Sequence, residues 1–216
     1  MKCWPCYAAP GVTTVKLDHL AITCADLAEG AAWVEQVLGV PLQPGGQHAR
    51  YGTHNRLLAL GPGEYLEVIA PDPAAPRPEH PVWFGLGQAG APRLGNWIVQ
   101  VPDLTKSLRS ATPEAGESVQ MQRGDLTWRI AVPPDGTLPL GGAFPTLIEW
   151  QGQAAHPPTR LTDVGVRLIR LDISHPDAAH LSDMIGRPLA DARVHFHPGP
   201  LALQATFDTP TGVRNL

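Results

Sequence analysis

The stretch Leu17–Leu27, LDHLAITCADL, aligns without a gap on residues 94–104, LGNWIVQVPDL. In each, an apolar strand-like run ends in Asp-Leu, the signature of a turn opening a helix, with Asp26 and Asp103 as N-cap candidates. After Asp26, the residues Leu27, Ala31, Val34 and Leu38 recur at helical spacing, and Gly39 is placed to stop the helix. Three strand-like runs follow, around 43–51, 54–60 and 64–70, the last two joined through Gly61-Pro62-Gly63. The order is β-α-β-β-β.

After residue 94 the order repeats, with a helix from Leu104 and strands over 118–123, 126–132 and 145–150. Pro133-Pro134-Asp135-Gly136 and Gly141-Gly142 give this copy a longer hairpin loop. A third copy opens at VRLIRLDISHPDAAHLSDMIG (166–186), continues through ARVHFH and LALQATF, and runs out before a fourth strand. The expected fold is α+β, with two full βαβββ modules and a truncated third, βαββ. Residues 1–14 form an extension, 15–152 the paired modules and 162–216 the third, reached through the linker GQAAHPPTRLTD.

Composition agrees with this plan. Hydrophobic residues make up 43% of the 216 and charged residues 17%, so a sizeable core is available. The 22 glycines and 24 prolines suit short elements joined by turns. A net charge of −4 with no basic run argues against nucleic acid as a partner. No apolar run reaches membrane-spanning length, and the N-terminus lacks the apolar region of a secretory signal, so the cytoplasm is the expected compartment. Cys3-Trp4-Pro5-Cys6 matches a C-x-x-C pattern but stands without a second pair or a following helix, and reads as part of the N-terminal extension. No Gly-x-Ser-x-Gly elbow or phosphate-cradling glycine loop is present.

With these motifs the chain resembles the vicinal-oxygen-chelate superfamily, the βαβββ proteins that include glyoxalase I, extradiol dioxygenases, fosfomycin-resistance enzymes and bleomycin-binding proteins. More narrowly, it is similar to bacterial glyoxalase-like domain proteins. The segments that carry the likeness are LDHLAI, WVEQVLGV, GTHNRLLALG, YLEVIAPDP and LIEW. The resemblance implies that two modules pair their sheets into a cup. It implies also that a metal, where present, is held from the first and fourth strands of each module. Those positions are His19, Glu67, Asn96 and Glu149.

Strand alternation allows all four to face the cup, if Leu20, Ile22, Leu66, Val68, Trp97, Val99, Ile148 and Trp150 cover the helix side. Such a set would suit a divalent ion such as Zn, Mn, Fe, Co or Ni, which could polarise a carbonyl. The glyoxalase resemblance implies that a carboxylate ligand, Glu67 or Glu149, doubles as proton shuttle. Asn96 is the weak member, since a neutral amide is a poor ligand. Without a metal, the same four would hydrogen-bond one another across the pocket floor. His54 and Asn55 of the GTHN motif, and Arg129, are the candidate substrate contacts, the guanidinium suited to a carboxylate or phosphate.

Two functions are expected from this pattern. One is a metal-assisted lyase or isomerase acting on a small carbonyl or oxygenated substrate. The other is a metal-free protein that sequesters a small molecule in the same cup. An open edge of the truncated module would further allow a homodimer.

Overall fold

The structure is a computed structural model that describes residues 15–216; the Cys3/Cys6 pattern and the rest of the 1–14 extension lie outside it. The first module runs β1 (Lys16–Thr23), α1 (Leu27–Leu38), β2 (Gln43–His48), β3 (Thr53–Ala59) and β4 (Tyr65–Pro71). The second runs β5 (Arg93–Gln100), α2 (Leu104–Leu108), β6 (Glu117–Arg123), β7 (Leu126–Val132) and β8 (Thr146–Gln151). Both helices start where the sequence places them. Asp26 accepts from the Glu29 amide at 2.9 Å, and Asp103 from the Lys106 amide at 2.9 Å. Gly39 ends α1 in the left-handed region, at φ 71°.

The modules join into one eight-stranded sheet, ordered β2-β3-β4-β1-β5-β8-β7-β6, with β1 and β5 antiparallel at its centre. Two irregularities interrupt that central pairing. On β1, Asp18 is extra, so Leu17 and Leu20 both join the helix-side core while Asp18 and His19 lie towards the concave side. On β5 the extra residue is Gly95, where a Cβ would stand 2.2 Å from Thr23 Oγ1. Only glycine allows that approach.

The sheet curls until its outer strands meet. Arg123 of β6 reaches His48 of β2 at 3.3 Å, with Gly46 packed under the arginine. The concave side is a second apolar core, formed by Ala21, Ile69, Ile98, Trp128, Ile130 and Ile148 from the strands. Tyr51 and the crossover residues Trp83, Phe84 and Leu86 fill it from one end. Trp83 stacks on Tyr51 (centroids 4.6 Å apart) and donates its indole N–H to Thr53 Oγ1 at 3.1 Å. The cup is therefore packed at that end, and the crossover is its plug.

The third segment forms β9 (Arg167–Ser174), α3 (Ala178–Leu181), a π turn (Ser182–Gly186), α4 (Arg187–Leu189), β10 (Val194–His197), β11 (Ala202–Thr209) and β12 (Gly212–Asn215). The sequence pattern stops at β11, but a tight turn at Pro210-Thr211 returns the chain as the short β12. The sheet order is β10-β9-β11-β12, so the opening strand lies between two strands of its own segment. In the paired modules the opening strand lies between its own fourth strand and the other module. Leu168, Leu171, Ile173 and Phe207 of this small sheet share one continuous core with Leu17, Leu20 and Trp97 of the large one.

Candidate functional site

Of the residues singled out from sequence, three contact one another on the concave side: His19, Glu67 and Asn55. His19 Nε2 stands 3.5 Å from Glu67 Oε2, and Asn55 Nδ2 donates to Glu67 Oε1 at 2.5 Å. Asn55 is itself fixed by the Gly46 amide, which donates to its Oδ1 at 2.7 Å. His19 and Glu67 are 4% and 5% exposed, so the contact is made almost out of water.

Asp18, brought in by the irregularity in β1, completes the cluster. Wholly buried, it accepts from His19 Nδ1 at 2.7 Å, from Trp150 Nε1 at 2.8 Å and from His156 Nε2 at 2.9 Å. Burial opposes its charge, but the hydrogen bonds from His156 and His19 outweigh that and hold the carboxyl well below the usual range. Burial likewise opposes the His19 cation, yet the bonds to Asp18 and Glu67 raise its pKa to about 8. Glu67 is kept at about 2, against its own burial, chiefly by His19. Asp18 thus fixes the ring orientation that aims Nε2 at Glu67. Tyr65 stacks on one face of the imidazole, with centroids 4.3 Å apart.

A second histidine lies nearby in the opposite state. His48 Nε2 accepts from Arg123 Nη1 and its Nδ1 lies 3.1 Å from Thr53 Oγ1, the pattern of a neutral ring protonated at Nδ1. Burial pushes its pKa down to about 4.

The other expected residues make no contact with this cluster. Asn96 shares the cup face, paired with Ala21, but its amide donates to Thr146 Oγ1 at 2.9 Å and its oxygen accepts from the Trp97 amide. Glu149 lies on the helix side: it accepts from the Leu104 amide at the start of α2 at 2.7 Å and from Arg129 Nη2 at 2.6 Å. In β7 and β8, Trp128, Ile130 and Ile148 line the cup, which turns Arg129 and Glu149 outward. His54 also points away from Asn55, towards Asp72 at 4.0 Å, with 27% of its side chain exposed.

Register shows why Glu149 is the wrong counterpart of Glu67. Ala21 pairs with Glu67, and Ile98, which the repeat aligns with Ala21, pairs with Thr146. The second half of the site is therefore Asn96–Thr146, an amide and a hydroxyl where the first half has His19–Glu67. This set does not fit a divalent metal. Only His19 and Glu67 are strong ligands, and Asn96 and Thr146 are already bonded together. Among the described residues no group of three His, Cys, Asp or Glu side chains converges as an ion requires.

A family model for a glyoxalase-like domain matches residues 17–188. The chain belongs to the glyoxalase-like domain family. It is thus a vicinal-oxygen-chelate protein. A solved structure of a hypothetical protein from Staphylococcus aureus is similar at 13% identity, with a TM-score of 0.58 and 87% of each chain covered. That likeness is one of fold. Methylmalonyl-CoA epimerase from Mycobacterium tuberculosis matches at 22% identity and TM-score 0.43, over 68% of this chain and 95% of that one. The Streptomyces coelicolor epimerase bound to 2-nitronate-propionyl-CoA matches at 16% and 0.44, over 66% and 100%. No curated protein matches the chain. Among the described residues no helix is long and apolar enough to cross a membrane.

Asp18, His48, Thr53, Trp150 and His156 were not visible as site residues in the glyoxalase-like sequence. Asp18 adjoins His19, where alternation would send it to the opposite face. The His156-Pro157 pair reads as a loop entry, and it is one; the loop happens to cross the mouth of the cup.

Proposed function

We propose that this glyoxalase-like cup moves a proton on a small carbonyl or oxygenated molecule, an isomerase-type reaction, with His19 and Glu67 as the acid and base and without a metal. The observation that carries the reading is the loose 3.5 Å contact between His19 Nε2 and Glu67 Oε2, in a site closed to water on nearly all sides. At neutral pH His19 is largely cationic and Glu67 anionic, given their shifted pKa values. A substrate carbonyl oxygen entering between them would accept the Nε2 hydrogen. Glu67 would then lose the partner that keeps its pKa low, while the burial that raises it remains. The carboxylate becomes a stronger base as its neighbour turns to the substrate. It takes the proton from the carbon next to the carbonyl as His19 gives its own to the oxygen, which forms an enol, or an enediol from a hydroxy carbonyl. Delivery of the Glu67 proton to the former carbonyl carbon of the enediol, while its other hydroxyl returns a proton to His19, completes the isomerisation. Asn55 holds Glu67 throughout, and Asp18 offsets the charge of His19.

A binding-only reading has support of its own. Trp83, Trp128 and Trp150 give the cup an aromatic lining, and Glu67 and Asp18 are already bonded within it. The two readings separate in heavy water. A panel of small 2-oxo acids, hydroxy ketones and dicarbonyls should exchange the hydrogen beside the carbonyl, followed by proton NMR, and Glu67→Gln should abolish the exchange. Ligands that bind without exchanging any hydrogen would leave sequestration and remove the acid–base reading.

A further inference from the structure

The linker from Gly152 to Leu161 crosses the mouth of the cup, and its His156 side chain enters it. The imidazole donates Nε2–H to Asp18 Oδ2 at 2.9 Å and stands edge-on to Trp150 (centroids 5.1 Å apart, 86° between planes) and to Tyr65 (6.1 Å, 69°). Asp18 is wholly buried, whereas the His156 side chain is 20% exposed, so the imidazole is the outermost layer over a buried carboxylate. The strap itself is fixed from the other side. Arg160 makes a two-pronged pair with Asp125 at 2.8 and 2.7 Å and bonds the Ala155 carbonyl at 2.9 Å, and Thr159 Oγ1 donates to the His156 carbonyl. With the backbone held in this way, the imidazole can leave by rotation about its own side-chain bonds.

The place it would vacate has defined chemistry. Its floor is a carboxylate with one hydrogen-bonding position freed, since His19 and Trp150 keep the others. Its walls are the rings of Tyr65 and Trp150. A buried negative charge between aromatic rings favours a compact cationic nitrogen group carrying at least one N–H. We propose that Asp18, Tyr65 and Trp150 form a subsite for such a group on a small-molecule ligand, imidazolium, amidinium or ammonium, and that His156 occupies it as an internal stand-in. The subsite rests on the geometry of the mouth and not on proton transfer at Glu67, so either reading can fail without the other.

Imidazole is the direct probe, titrated by calorimetry at about pH 6, where it is cationic. His156→Ala should bind it saturably, and wild type should bind it roughly tenfold or more weakly because its own imidazole competes. Toluene, of similar size but without N–H or charge, should not bind the variant. Adding Asp18→Asn to the variant should abolish imidazole binding. Should that buried change prevent folding, adding Tyr65→Leu tests the aromatic wall and should weaken binding several-fold. Equal affinity of wild type and His156→Ala would overturn the proposal, as would toluene binding as well as imidazole. Saturation in the variant with none in wild type would mark a created hole and overturn it equally.

Discussion

His19 and His48 line the same cup, and burial acts on both in the same sense, against the cation. Their partners set them apart. Two carboxylates hold a proton on His19, at about 8, while Arg123 beside His48 adds to the effect of burial, leaving it at about 4. An unfolded histidine titrates at about 6.5. His19 binds its proton more tightly when folded, so its contribution is full below about pH 6.5 and is lost as pH rises through 8. His48 binds its proton less tightly when folded, so its contribution is full above about 6.5 and is lost as pH falls towards 4. Glu67 adds a loss at still lower pH, below its ordinary carboxylate range. Stability should peak between about pH 6 and 7, and the alkaline fall due to His19 should be of order 2 kcal/mol by about pH 8.5. Thermal unfolding across this range tests the assignment. His19→Asn should flatten the alkaline side and His48→Asn the acid side; an alkaline fall that persists in His19→Asn would belong to another group.

Elements explain which of these positions could be read from sequence and which could not. Alternation states which residues share a face, but the covering helix decides which face is inside. The twelve-residue α1 lies over Leu66 and Val68, so Glu67 turns to the cup as the pattern suggests. The five-residue α2 covers less of β7 and β8, and its first amide needs an acceptor. Glu149 supplies one from the helix side, and Arg129 joins it there. The length of α2 is not written in the alternation of β8, and an extra residue such as Asp18 shifts every later position without changing composition. Glu149 is thus a helix anchor. Glu149→Ala should cost about 1–3 kcal/mol, from a lost cap and an unpaired Arg129 whose Nε already lacks a partner. It should leave hydrogen exchange at the cup unchanged. Denaturant unfolding of the variant beside the exchange assay measures both, and a lost exchange activity in a folded variant would return Glu149 to the chemistry.

At the scale of the whole molecule the duplicated β-α-β-β-β order was legible, because each copy keeps its Asp-Leu turn and its strand spacing. The strand order of the third segment was not, since pairing partners are a tertiary choice that the same local pattern allows in more than one way. That segment bears on stability through its shared core. Phe207 and Leu171 are fully buried with Trp97 and Leu20 in one cluster, and Trp97 approaches Phe196 at 6.2 Å. Arg193 ties the two sheets further, bonding Glu64 beside β4 as well as Asp191. A core shared in this way should melt as one. Phe207→Ala, in the small sheet, should cost about 3–5 kcal/mol. It should also lower the unfolding midpoint followed by tryptophan emission as much as that followed by circular dichroism, since the five tryptophans among the described residues, Trp33, Trp83, Trp97, Trp128 and Trp150, all lie in the paired modules and their crossover and none in the small sheet. If the tryptophan signal kept its wild-type midpoint while the dichroism split into two steps, the small sheet would be an independent unit and the continuous core would not govern stability.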